Sequence, residues 1–314
     1  MSYDVLVVGR PQCDLVFTGV PVWPAVGREV FAGDLTVTAG GAFNAVAALR
    51  RLGLAVGMVG TVGDDEWSRL ALEEMENERV STDLINVLDR PLPSLSVCVT
   101  HAGDRGFLTY EPATPVDRRA AREHALTVLR RERAPYVLAW LAPDLPAYAA
   151  VARERGMRVV VDTAWDERWL ASDAARALVP LADVFLASEP EATFLAGDGD
   201  PLLVLRRLGE RVPCVVLKRG AAGAAALVDG REYRVPTEPV EVVDATGAGD
   251  CFNAGFLYGL CQDRTVEECL RLGNICGGMS VAKPGGFCGA PTEPELIAKA
   301  RQLGMDIASW RSNA

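Results

Sequence analysis

The sequence predicts an α/β fold in which a mostly parallel central sheet carries helices on both faces. Short, uninterrupted apolar runs rich in β-branched residues recur along the chain, as expected of strands buried on both sides. Stretches of helical periodicity separate many of these runs, and strand–helix–strand alternation calls for parallel pairing through crossover helices. No repeat, low-complexity tract or linker divides the chain, so one domain is expected over residues 1–314.

The first strand is expected at Val5–Val8. A helix over Asn44–Leu52 follows, with Val46, Leu49 and Leu52 facing inward, and then a strand at Val56–Val59. Trp67–Glu78, rich in Leu, Met and Glu, and Ala120–Glu132 read as helices. The strand Tyr136–Ala139, the helix Leu145–Arg155, the strand Val159–Val161 and the helix Ala174–Leu181 continue the alternation. Strand Val184–Leu186, helix Leu202–Leu208 and strands Val215–Leu217 and Ala224–Leu227 complete it. Two segments depart from this pattern. Asp14–Val37 is broken by Gly19, Pro21, Pro24, Gly27 and Gly33, and Ser94–Tyr110 alternates about a turn at residues 101–106, as a hairpin does. They read either as two ordinary surface hairpins or as a small antiparallel sheet outside the main one.

Composition narrows the function. The 49% hydrophobic content is ample for a core, and the formal net charge of −10 argues against a nucleic-acid binder. It leaves a nucleotide ligand open, because backbone donors bind phosphate in an acidic protein. The N-terminus runs directly into a strand without a leader pattern, and no apolar run is long enough for a membrane span, so a cytoplasmic protein is expected. Its eight cysteines include no Cys-x-x-Cys, and His101 and His124 lie far apart. Reduced thiols are expected rather than a zinc site.

Chemistry concentrates in Val242-Val243-Asp244-Ala245-Thr246-Gly247-Ala248-Gly249-Asp250-Cys251-Phe252. An apolar run ends in a nearly bare turn and then enters a helical segment. Uncovered N–H groups at a helix N-terminus favour an anion. A carboxylate beside that anion has a purpose if it accepts a proton from a hydroxyl attacking a phosphate. Taken alone, Gly247-Ala248-Gly249-Asp250 fits equally a plain capped helix with an acid in its first turn. A second signal is Ala39-Gly40-Gly41-Ala42-Phe43-Asn44, where a double Gly opens a helix. Asn44 there could serve polyol hydroxyls with a donor and an acceptor, or simply lie near the cap. The chain has neither Gly-x-Gly-x-x-Gly after its first strand nor Gly-x-x-x-x-Gly-Lys-Ser/Thr.

These two strings, in this order and about 200 residues apart, resemble the paired signatures of the ribokinase-like, or PfkB, carbohydrate kinases. The resemblance spans essentially the whole chain and implies an ATP-dependent kinase of a sugar or related polyol. It implies Asp250 as catalytic base, and Gly247, Ala248 and Gly249 as an anion hole for the γ-phosphoryl group. Asp14, in the loop expected after the first strand, would bind sugar hydroxyls with Gly40, Gly41 and Asn44. The segments at about 12–38 and 92–112 would form a β-lid that carries Phe107 over the substrate and mediates a homodimer. On the nucleotide side the resemblance points to Ser188, Glu191, Lys218, Gly220, Gly223, Thr246 and Asn274. Glu191 would act on Mg²⁺ through water. Asp244, Thr246 and the later residues Ser280, Lys283 and Gly285 could hold K⁺. Departures fall mainly on the substrate side: Ala42 replaces a lysine that ribokinase carries, and Trp140-Leu141-Ala142-Pro143 offers no acid where ribokinase has a glutamate. Ser188 replaces a usual Asn. Ribose is therefore not favoured, and the sugar stays open. A nucleoside kinase of the same fold, with Phe107 stacking on a base, is the alternative, and a non-catalytic ligand-binding member is a third reading.

Overall fold

The computed structural model describes residues 3–102, 104–197 and 199–306. Among the described residues there are thirteen strands: β1 (Val5–Val8), β2 (Pro11–Thr18), β3 (Asp34–Gly41), β4 (Val56–Val62), β5 (Ile85–Val87), β6 (Leu95–His101), β7 (Asp104–Tyr110), β8 (Tyr136–Trp140), β9 (Arg158–Asp162), β10 (Val184–Ser188), β11 (Cys214–Lys218), β12 (Ala224–Val228) and β13 (Arg231–Val235). Nine of them form one sheet in the order β13-β12-β11-β10-β9-β8-β1-β4-β5. From β11 to β5 every pairing is parallel, whereas β12 and β13 add an antiparallel edge.

Alternate side chains of each central strand enter different cores. Val5, Val7, Leu138, Val160, Leu186 and Val216 meet the helices Ala42–Arg51, Ala248–Cys261 and Val266–Ser280 on one face. Leu6, Val8, Val137, Val159, Phe185 and Val215 meet helices Pro115–Arg131, Leu145–Glu154 and Pro201–Gly209 on the other. Two-sided burial explains why these strands are apolar throughout, with each fully buried Val, Leu or Phe contributing about 1.5–3 kcal/mol. Strand β1 lies between β4 and β8, so strand order reverses beside it. A crevice at the carboxyl ends of such strands is where open α/β sheets take ligands.

The two irregular segments do form a separate four-stranded sheet, ordered β3-β2-β6-β7. Its pairing is mixed rather than purely antiparallel, because β2 runs parallel to β6. Within the expected turn, residue 103 lies outside the described residues, and the strands reach His101 and resume at Asp104, closer to the tip than the spacing predicts. Asp14 requires a correction: it sits inside β2, paired with Thr38 and Ser96, rather than in a loop after β1. Pro11 starts that strand, where its missing N–H costs no ladder bond. Other differences are β5, β13 and helix Glu293–Gln302, which the periodicity reading leaves out. The helix at Pro115 begins five residues before the expected start, under a Thr114–Asp117 capping box. Among the described residues no helix is long and apolar enough to cross a membrane.

Candidate active site

A cleft of about 1820 Å³ opens along the carboxyl ends of β1, β4, β8, β9, β10 and β11, with Arg105–Phe107 of β7 on its wall. It brings together Gly41, Phe107, Ser188, Glu191, Lys218, Gly220, Gly223, Gly247, Ala248, Gly249, Asp250 and Asn274, residues drawn from both signatures and from the strand ends between them. Asp14, Gly40, Asn44, Asp244, Thr246, Ser280, Lys283 and Gly285 do not line this surface, although several touch groups that do.

The turn before helix Ala248–Cys261 is shaped for close approach. Gly247 takes the N-cap position with φ 66°, a left-handed conformation in which a side chain would also strike the Gly286 carbonyl. No side chain caps this helix; Ala248 N makes a long 3.4 Å bond to the Ala245 carbonyl, and the leading N–H groups lie at the positive end of the dipole. Asp250 sits in that first turn and lines the cleft. Burial, and then the Asp162 charge, push its carboxyl up to about 7, against the pull of Lys218 and a hydrogen bond from Asn44. A carboxyl so placed can exchange a proton near neutral pH.

Asn44 connects the two signatures. It is 3% exposed, bonds to Asp250, and keeps its Oδ1 buried without a protein partner. Asp14 is 4% exposed, and burial, reinforced by Asp244, raises its carboxyl to about 7. A Cβ at Gly40 would overlap the Asp14 carboxylate, so glycine is required there. Both buried polar ends invite a hydroxyl-bearing ligand.

Asp244 ties the turn before helix Ala248–Cys261 to a later loop. Its Oδ1 accepts from Thr246 N at 2.9 Å and Thr246 Oγ1 at 2.7 Å, and its Oδ2 accepts from Gly285 N at 2.9 Å. Thr246 Oγ1 also lies 3.3 Å from Cys98 Sγ of β6, joining the small sheet to the turn. Ser280 closes its helix by donating to the Gly277 carbonyl, and Lys283 is exposed.

On the other side, Ser188 caps helix Glu189–Ala196 through a capping box with Glu191. Glu191 Oε2 accepts from Ser188 N (3.0 Å), Ser188 Oγ (2.5 Å) and Thr163 Oγ1 (2.8 Å). Gly220 opens a 3₁₀ turn that closes at Gly223. Asn274 donates its amide to the Val235 and Pro236 carbonyls at 3.1 and 3.2 Å, so it braces this wall. Among the described residues no group of three or more His, Cys, Asp and Glu is placed to hold a metal by itself.

Neither Asp162 nor Asn253 is among the site residues that the sequence points to. Lys218 Nζ donates to Asp162 Oδ1 at 2.8 Å and to Asn253 Oδ1 at 3.3 Å, while Asn253 Nδ2 donates to Asp162 Oδ2 at 2.5 Å. Asn253 stands three residues after Asp250, on the same helix face, which is the signal that could have found it.

The profile of the pfkB family carbohydrate kinases matches residues 24–293. The chain belongs to the pfkB carbohydrate kinase family. Ribokinase from Bacillus subtilis is 26% identical to this pfkB member over 299 residues, covering 93% of this chain and 98% of that one. Cytidine kinase from Thermococcus kodakarensis is 28% identical over 282 residues, covering 86% and 93%. A candidate ribokinase II from E. coli, solved with ATP and Mg²⁺, superposes with a TM-score of 0.82 at 20% identity, covering 96% of this chain and all of that one. As in its pfkB relatives, the activity is ATP-dependent carbohydrate phosphorylation.

Proposed function

We propose that this kinase transfers the γ-phosphoryl group of ATP to a hydroxyl of a sugar or related polyol, with Asp250 as the base. The observation that carries this reading is a carboxyl raised to about 7, set in the first turn of a helix whose leading N–H groups have no side-chain cap. Asp250 accepts the hydroxyl proton as the oxygen bonds to the γ-phosphorus. The bond from that phosphorus to the β–γ bridging oxygen breaks, and ADP leaves with the electron pair. N–H groups of Gly247, Ala248 and Gly249 meet the charge that spreads over the transferred oxygens.

Asp14, Gly40, Gly41, Asn44 and Phe107 make up the sugar end in this account. Ser188, Glu191, Lys218, Gly220, Gly223, Thr246 and Asn274 make up the nucleotide end. The residues fit Mg²⁺: the Glu191 carboxylate lines the cleft with Oε2 held by three donors, and an ion carried largely by phosphates and water needs few protein ligands. When bound, the ion offsets phosphate charge. Asp244, Thr246 and the carbonyls of Ser280, Lys283 and Gly285 form the candidate K⁺ group, whose two segments the Asp244–Gly285 bond already joins. The small sheet, made of β2, β3, β6 and β7, serves as a lid that keeps water from ATP. Its exposed Leu35, Val37 and Leu108, with Phe31 just before β3, support a homodimer through that lid. Within one kinase domain over 1–314, the eight free thiols suit a cytoplasmic enzyme.

A nucleoside substrate is the second reading, favoured by the half-exposed Phe107 on the cleft wall and by the cytidine kinase relative. ADP release with a panel of sugars, polyols and nucleosides separates the two. Turnover with at least one neutral sugar or polyol is expected, turnover with nucleosides alone would install the second reading, and no turnover with any of them would end both.

A further inference from the structure

Lys218 lies against the Gly247–Gly249 turn, and its setting is specific. An ideal Cβ on Gly249 would lie 3.2 Å from Lys218 Nζ, so the ammonium rests against the backbone of that turn. The Lys218 side chain is 11% exposed and that of Asp162 4%, and both residues line the cleft. Burying such a pair adds little net stability, because desolvation offsets the attraction. Its position at the cleft floor therefore calls for a chemical reason. Asn253 closes the arrangement by accepting from Lys218 and donating to Asp162, so each member is held by the other two. Two of the three ammonium N–H groups are engaged, which leaves one for a ligand in the cleft.

Resting on the reading of Asp250 as base, we infer that Asp162 and Asn253 are positioning residues. They fix the Lys218 ammonium beside the Gly247–Gly249 turn, and the balance of their charges sets the pH at which Asp250 becomes an active base. The groups that face Asp250 are Asp162 from the end of β9, Lys218 from the end of β11, Asn44 from helix Ala42–Arg51, and Asp14 from β2. Lys218 is itself faced by Asp162, Glu191 and Asp250, whose charges outweigh the effect of burial and keep it protonated. Burial pushes the Asp162 carboxyl up, while the Lys218 ammonium 2.8 Å away pulls it down; as an ion pair the two set opposing fields at Asp250. Removing either exposes the other.

The test is the acid limb of kcat/KM against pH, read in near-isosteric variants of the full-length enzyme. Asp162→Asn leaves the ammonium uncompensated and moves the limb down by about one pH unit. Lys218→Met leaves the acid uncompensated and moves it up by a similar amount, and Asn253→Asp, which adds an acid to the group, also moves it up. All three lower kcat roughly tenfold or more while the polyol KM stays within about twofold, because only the phosphoryl side is disturbed. Loss of packing alone would not give opposite signs from two residues that touch. Should one variant not fold, the sign in either of the others decides. Limbs that stay fixed, or that move opposite to the direction given for their variant, overturn the inference. Asp250→Asn separates this from the parent reading: normal turnover in that variant removes the base itself, whereas an inactive Asp250→Asn beside unmoved limbs removes only the role given to Asp162 and Asn253.

Discussion

Asp14 carries a stability cost that the sugar should relieve, and Asp14→Asn measures it. The residue is 4% exposed, and its carboxyl rises from the ordinary 3.8 to about 7 through burial and then the Asp244 charge. Unfolded chain releases this proton near 3.8, whereas folded chain keeps it to about 7. Between those values the unfolded state binds fewer protons, so the residue's contribution to stability falls as pH rises and is flat below and above the window. At about 1.4 kcal/mol per pH unit the ceiling is about 4 kcal/mol. Coupling to Asp244 and local relaxation reduce this to about 2 kcal/mol. Asparagine keeps the shape and does not titrate. For 314 residues, unfolding entropy scales to about 0.7 kcal/mol/K, so Asp14→Asn should raise Tm by about 3 °C at pH 8 and by little at pH 4.5. Scanning calorimetry of both proteins across this range reads the difference directly. The same variant should raise the sugar KM at least tenfold and leave the ATP KM nearly unchanged. A Tm difference independent of pH, or a variant less stable than wild type at pH 8, would refute the reasoning.

Three further outcomes follow from the same geometry. Asn44→Ala removes a hydrogen bond that holds the Asp250 carboxyl down, so it should raise the sugar KM and move the acid limb of kcat to higher pH; steady-state kinetics from pH 5.5 to 8.5 checks both. K⁺ should raise the rate over choline at equal ionic strength, and Asp244→Ala should abolish the response, since screening alone does not separate the two ions. Leu108→Asp, on an exposed face of the small sheet, should convert a particle of twice the chain mass to one of single mass by light scattering, with the Asp250-dependent rate per chain falling if the lid needs its partner.

Much of the scaffold was legible because buried parallel strands write themselves as unbroken apolar runs. Each central run, from Val5–Val8 to Val215–Leu217, is a strand of the main sheet. Several pieces escaped, three of them for identifiable reasons. β13 mixes charged and aromatic residues on an edge, β5 has only three residues, and the helix Glu293–Gln302 follows a capping box at Thr292 without a strong apolar stripe. Within the site, Gly247–Asp250 and Gly40–Asn44 were legible because a bare turn and a double glycine are local features. Asp14 was misplaced because Pro11 reads as a loop, although it can stand as the first residue of a strand. The Asp162–Lys218–Asn253 group was illegible as a unit. Its members lie 56 and 35 residues from Lys218, and only the side-by-side order of β9, β10 and β11 with helix Ala248–Cys261 gathers them.

The central claim is that Asp250 takes the proton from the attacking hydroxyl, and the most direct measurement is single-turnover phosphorylation by Asp250→Asn with ATP binding followed in parallel. Asparagine preserves size and removes basicity. The account predicts a loss of about 10²- to 10⁴-fold in the phosphorylation rate with ATP affinity changed little. A rate within a few-fold of wild type in a variant that still binds ATP would contradict it.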